Sequence, residues 1–149
     1  MAAMTLRSPS FGEGEPIPIR HACDGADVSP ALSWHDAPAG TVAFALVVDD
    51  PDARGWVHWV VFDIPGGDSG SLPEGLRPTD RPAQGRNTFG RAGWGGPCPP
   101  SGTHHYVFTL YALSAPLGLT GVPTAADVRT AAAGVTLARA SLTGTYRRR

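Results

Sequence analysis

Most of the residues able to do chemistry lie in two short segments. DDPDARGWVHW (Asp49 to Trp59) brings Asp50, Trp56 and His58 to one end of an apolar strand, and GWGGPCPPSGTHHY (Gly93 to Tyr106) brings Pro100, His104 and Tyr106 to the start of another. Strand side chains repeat every second residue, so Trp56 shares a face with His58, and His104 shares one with Tyr106. Imidazole titrates near neutral pH, and its protonated form donates from both nitrogens. A carboxylate at Asp50, with the backbone fixed by Pro51 just after it, can orient a histidine or hold a ligand ammonium. Brought together, these groups would form one small polar pocket. His105 should point to the opposite face, and Asp52 reads as a turn cap.

Competing chemistries use the same residues. Asp50, His58 and His104 form a plausible metal-ligand set of two imidazoles and a carboxylate. Asp50 with either histidine could also serve as a general acid-base pair for hydrolysis. No nucleophile stands beside these bases, since Ser101 lies in a turn without a partner, so binding is expected rather than catalysis, with no cofactor. Gly67-Asp68-Ser69-Gly70 looks like the nucleophile turn of trypsin-like proteases, but 149 residues are too few for two barrels. The turn Gly95 to Gly102 mixes stiff prolines with permissive glycines, which could expose backbone N–H groups toward an anion.

Composition removes several classes. The net charge is -1, and all twelve basic side chains other than histidine are arginine. Mechanisms that need a lysine, such as a Walker A loop or a Schiff base, are excluded. Apart from the Arg147, Arg148, Arg149 tail, expected to be a frayed terminus, the arginines are scattered, so no nucleic-acid face can be read. Cys23 and Cys98 are far apart and form no C-x-x-C pair, and free buried thiols are the expectation. No run is long enough for a membrane span, and MAAMTLRSPSFGEGEP lacks a signal-peptide core. A cytoplasmic protein is the default expectation.

These side chains need a scaffold of short strands. Thirty-four glycines and prolines argue against long helices. The clearest strands are Thr41 to Val48, Val57 to Ile64 and Tyr106 to Leu113, with Val135 to Tyr146 as a last one. Val57, Trp59, Val61 and Phe62 make the second nearly continuous in apolar residues, as for a strand covered on both sides. Thr124 with Asp127 forms a variant capping box, alanine-rich VRTAAA favours helix, and Gly134 can end it. Gly66 to Asn87 should be a long surface connection. The expected class is mainly β: one domain, residues 1–149, built as a two-sheet antiparallel β-sandwich with Greek-key connections and a short C-terminal helix.

The two opening segments, with HACDGADVSPALSW (His21 to Trp34), QGRNTFG (Gln84 to Gly90) and YVFTLYAL (Tyr106 to Leu113), resemble the phosphatidylethanolamine-binding protein, or Raf kinase inhibitor protein, family in its bacterial YbhB/YbcL-like branch. The resemblance covers most of the chain. It implies that Asp50, His58, His104 and Tyr106 line an anion-binding pocket, with Trp56 as its wall and Pro100 at its rim. The implied ligand is a small phosphate-bearing anion such as phosphoryl-ethanolamine, bound without a metal. It also allows regulation of a kinase or protease partner, and a homodimer. The chain departs from the family pattern between acid and tryptophan, where Asp52-Ala53-Arg54-Gly55 is short and Arg54 replaces the usual proline. Arg54 is therefore a candidate for reaching an anionic ligand.

Overall fold

The computed structural model describes residues 3–148. In chain order the elements are β1 (Thr5–Arg7), β2 (Leu32–His35), β3 (Ala43–Asp50), β4 (Trp56–Pro65), β5 (Gly70–Leu72), β6 (Thr103–Leu113), α1 (Ala125–Ala132) and β7 (Thr136–Arg147). They make two antiparallel sheets, a three-stranded one ordered β1-β2-β5 and a four-stranded one ordered β4-β3-β6-β7. β3 and β4 form a hairpin. The long connection after β4 then crosses to the other sheet as β5 and returns to lay β6 beside β3.

Period-two alternation in β3 explains why its sheet is covered on both faces. Phe44, Leu46 and Val48 join the core between the sheets, against Leu6, Leu32, Trp34 and Leu72 of the smaller one. Ala43, Ala45 and Val47 face the other way, where Ala125, Val128 and Ala132 of α1 close a second apolar cluster. α1 starts as its residues dictate: the Thr124 side chain accepts from the Asp127 N–H at 3.2 Å, and the Asp127 carboxylate accepts from the Thr124 N–H at 3.0 Å.

Three expectations need correction. Cys23 and Cys98 are not free thiols but a disulfide, with Cα atoms 5.4 Å apart across 75 residues of sequence. Gly66 to Asn87 is not wholly a surface connection. It contains β5, and it sends Gln84 into the interior, where its side chain accepts from the Trp59 indole at 2.9 Å and donates to the Arg77 carbonyl at 2.7 Å. A buried indole N–H needs such a partner. The basic tail is anchored rather than frayed: Arg147 ends β7 opposite Thr103, and Arg148 lies 3.4 Å from Asp24, while Arg149 is outside the described residues.

Candidate ligand pocket

Where β3 ends, its neighbours deliver the polar residues. Asp50 is the last residue of β3, which pairs with β4 on one side and β6 on the other. Pairing with β4 carries a β-bulge: Val48 opposes Trp59 and Asp49 opposes Val57, which leaves His58 as the extra residue. A bulge re-aims side chains, and here it lets two consecutive residues serve the inner face. Trp59 goes to the core against Trp94, while His58 meets Tyr106 edge-on at 5.1 Å.

Asp50, Trp56, His58, Pro100, His104 and Tyr106 all line one cavity of about 290 Å³, joined by Ala53, Phe89, Cys98 and Pro99. His105 does not line it. Its Nδ1 and backbone N–H both meet the Asp52 carboxylate at 2.8 Å, and these bonds hold Asp52 below the usual carboxylate range. Asp52 and His105 therefore tie the turn after β3 to β6.

Each polar group in the pocket has a defined role. Asp50 is 2 % exposed, and both its oxygens are taken: Oδ1 accepts from the Asp52 N–H at 2.8 Å and Oδ2 from His104 Nδ1 at 2.6 Å. Its work is to cap the following 3-10 turn (Pro51–Ala53) and to orient His104. His58 donates from Nδ1 to the Gly95 carbonyl at 2.6 Å. Both imidazoles are thus held by Nδ1; His58 also has the Gly96 backbone beside it as a second acceptor, and no side chain among the described residues bonds either Nε2. Burial is the main reason Tyr106 is pushed well above the ordinary phenol value, with the nearby Asp50 charge adding to it, so its hydroxyl stays a donor.

Burial also holds His58 below imidazole's ordinary 6.5, against the opposing pull of its bond to Gly95 and the charge of Asp50. His21 is likewise lowered, chiefly by burial; its Nδ1 donates to the Val28 carbonyl and its Nε2 lies 3.8 Å from Glu74. Both are basic groups whose folded value lies below the unfolded one, so below about pH 6.5 the unfolded chain binds more protons. The stability of the ligand-free protein should therefore fall as pH drops through 6.5, read as a lower urea midpoint at pH 5.5 than at pH 7.5. A midpoint that rises over that interval would contradict the neutral burial of these two histidines.

Two rim features differ from expectation. The amides of the Gly95–Gly102 turn are not all available to an anion, since the Gly95 N–H donates to the His58 carbonyl and the Gly96 N–H to Asp27 Oδ1. Arg54 caps the 3-10 turn at a left-handed φ of 56° and is not among the lining residues; Ala53 lines the cavity instead. The sequence reading missed Phe89, whose ring stands edge-on to Trp56 at 5.4 Å and to His58 at 5.6 Å. Gly95 makes room for it, because a Cβ there would come within 2.4 Å of that ring. The one available signal was the QGRNTFG segment itself, an aromatic residue beside a glycine in a turn-rich stretch.

The β-sandwich thus carries, at a strand-end cluster, a partly aromatic cavity with two oriented imidazoles. Comparison with known proteins makes this specific. The model of the phosphatidylethanolamine-binding protein family matches residues 7–147. The chain belongs to that family. It is 43% identical to the UPF0098 protein of Methanothermobacter thermautotrophicus, over 97% of this chain and 99% of that one. It is 48% identical to a Mycobacterium tuberculosis protein named "Putative lipoprotein LppC", over 96% of this chain and 72% of the other. The crystal structure of Escherichia coli YbcL, described as a member of the mammalian PEBP family, superposes with a TM-score of 0.90 at 34% identity, covering 99% of this chain and 100% of that one.

Proposed function

We propose that this protein binds a small phosphate-bearing or similarly anionic ligand on His58, His104 and Tyr106. One observation carries the proposal: both imidazoles are anchored through Nδ1, which leaves their Nε2 atoms and a protonated phenol in one cavity with no side-chain partner among the described residues. Proton uptake at Nε2 would make each imidazole a charged donor, and charge-assisted hydrogen bonds are the strong ones. Binding is favoured over hydrolysis because no serine, threonine or free thiol lines the cavity, Cys98 being in a disulfide. Nothing in the pocket favours a kinase or protease as its occupant, so the proposal stops at the small ligand.

Sulfate keeps its two charges between pH 8 and pH 6 and so isolates the protein's own protons. Calorimetry should show it binding at least about fivefold tighter at pH 6, because a bound anion favours the protonated imidazoles and binding therefore takes up protons. Affinity that is flat or weaker toward pH 6 would contradict the proposal.

The disulfide also bears on location. We propose an oxidising compartment in place of the cytoplasmic default, since such bonds persist mainly where thiols are not kept reduced. The name of the mycobacterial relative fits a location outside the cytoplasm. Protein from acid-quenched host cells should take up no thiol-reactive maleimide before reduction and two equivalents after it. Labelling without reduction would contradict this placement.

A further inference from the structure

The cavity is larger and less polar than a bare anion requires. The three candidate donors occupy only part of the wall of this cavity of about 290 Å³. Trp56 and Phe89 are among the other lining residues, and they are 38 % and 40 % exposed. The residues that precede Phe89 are tied down by hydrogen bonds. The Thr88 N–H donates to the Val57 carbonyl at 2.9 Å, the Val57 N–H donates to Thr88 Oγ1 at 2.8 Å, and the buried Asn87 side chain donates to the Gly93 carbonyl at 2.8 Å. The Arg91 guanidinium lies 5.2 Å from the Phe89 ring centroid. An aromatic ring that follows hydrogen-bonded residues yet is left open at the mouth of a cavity is apolar surface prepared for a ligand.

We infer that the ligand is an anion carrying a flat aryl group, with its charged end on His58 and His104 and its ring against Trp56 and Phe89, and that Phe89 sets this preference. The inference rests on the anion-binding reading above. Aromatic pairs favour edge-to-face and offset contacts, and the crossed planes of Trp56 and Phe89, at 77°, present an edge and a face to a third ring. The apolar area covered by an aryl body adds to this preference without any further polar contact.

Methyl, butyl and phenyl phosphate are all monoesters, and at pH 8 all three are dianions, so there they separate the head from the body. Calorimetry at pH 8 should give phenyl phosphate an affinity at least tenfold above methyl phosphate and above butyl phosphate. In Phe89→Ala the phenyl-to-methyl ratio should shrink below threefold, and in Phe89→Leu, which keeps apolar bulk, it should fall between the two; the second variant gives the readout if the first does not fold. Three results would overturn the inference alone: a wild-type phenyl-to-methyl ratio near one, butyl phosphate equal to phenyl phosphate, or a ratio unchanged in both variants. If no ester binds, the anion-binding reading fails and takes this inference with it.

Discussion

His58→Ala or His104→Ala should each weaken phosphate binding by about 1.5–3 kcal/mol, roughly ten- to a hundredfold in Kd, the usual worth of a hydrogen bond to a charged group. The two losses should be less than additive or more than additive, not independent, because both imidazoles act on one anion in one cavity. Asp50→Asn is the sharper companion. It keeps the shape of a residue that is 2 % exposed but replaces an obligate acceptor by an amide that can present N–H₂ to His104 Nδ1. His104 would then lose the bond that fixes which nitrogen faces the ligand, so phosphate affinity should fall although no imidazole is removed. His105→Ala is the control, since His105 bonds Asp52 outside the pocket, and affinity should stay within about twofold. Calorimetry on the four single variants and on the double variant His58→Ala/His104→Ala checks this; equal losses for His104→Ala and His105→Ala would contradict it.

Reduction of the Cys23–Cys98 bond should have the largest effect on stability. The bond closes 75 residues of sequence; the chain-entropy account puts the constraint of an unfolded loop of that size at about 4.5 kcal/mol, and bonds of this kind typically contribute about 2–4 kcal/mol. For a chain of this length that corresponds to a Tm lower by roughly 5–15 °C. The pocket should survive in weakened form, because the same two segments are also joined by hydrogen bonds. The Cys23 N–H donates to the Pro97 carbonyl at 3.1 Å, the Gly96 N–H to Asp27 Oδ1 at 2.7 Å and the Trp94 indole to the His21 carbonyl at 3.0 Å. Thermal melts of the wild type with and without reductant should differ by this shift. The double variant Cys23→Ser/Cys98→Ser should melt at the lower temperature in both conditions. No difference between oxidised and reduced wild type would refute the assignment of a stabilising cross-link.

The long strands were legible in the sequence because burial on both faces leaves apolar runs such as Val57 to Ile64, and the strands found extend these by one to three residues at most ends. α1 was legible through Thr124 and Asp127, whose side chains satisfy the first free amides of the helix. β1, β2 and β5, at three or four residues each, are too short to show a period and exist because partners pair with them. The site was legible in its residue types and faces but not in its wiring. That Asp50 bonds His104 rather than His58 follows from its position between β4 and β6, and from the bulge that hands His58 to the Gly95 carbonyl. The disulfide and Phe89 were missed for a related reason: each depends on two segments distant in sequence meeting in space, and neither spacing nor composition encodes that meeting.

A crystal structure of the protein grown with phosphate tests the central claim most directly. The anion should lie within hydrogen-bonding reach, about 2.7–3.2 Å, of both His58 Nε2 and His104 Nε2. A phosphate bound elsewhere with this cavity filled only by water, or seated in it while touching neither imidazole, would contradict the claim.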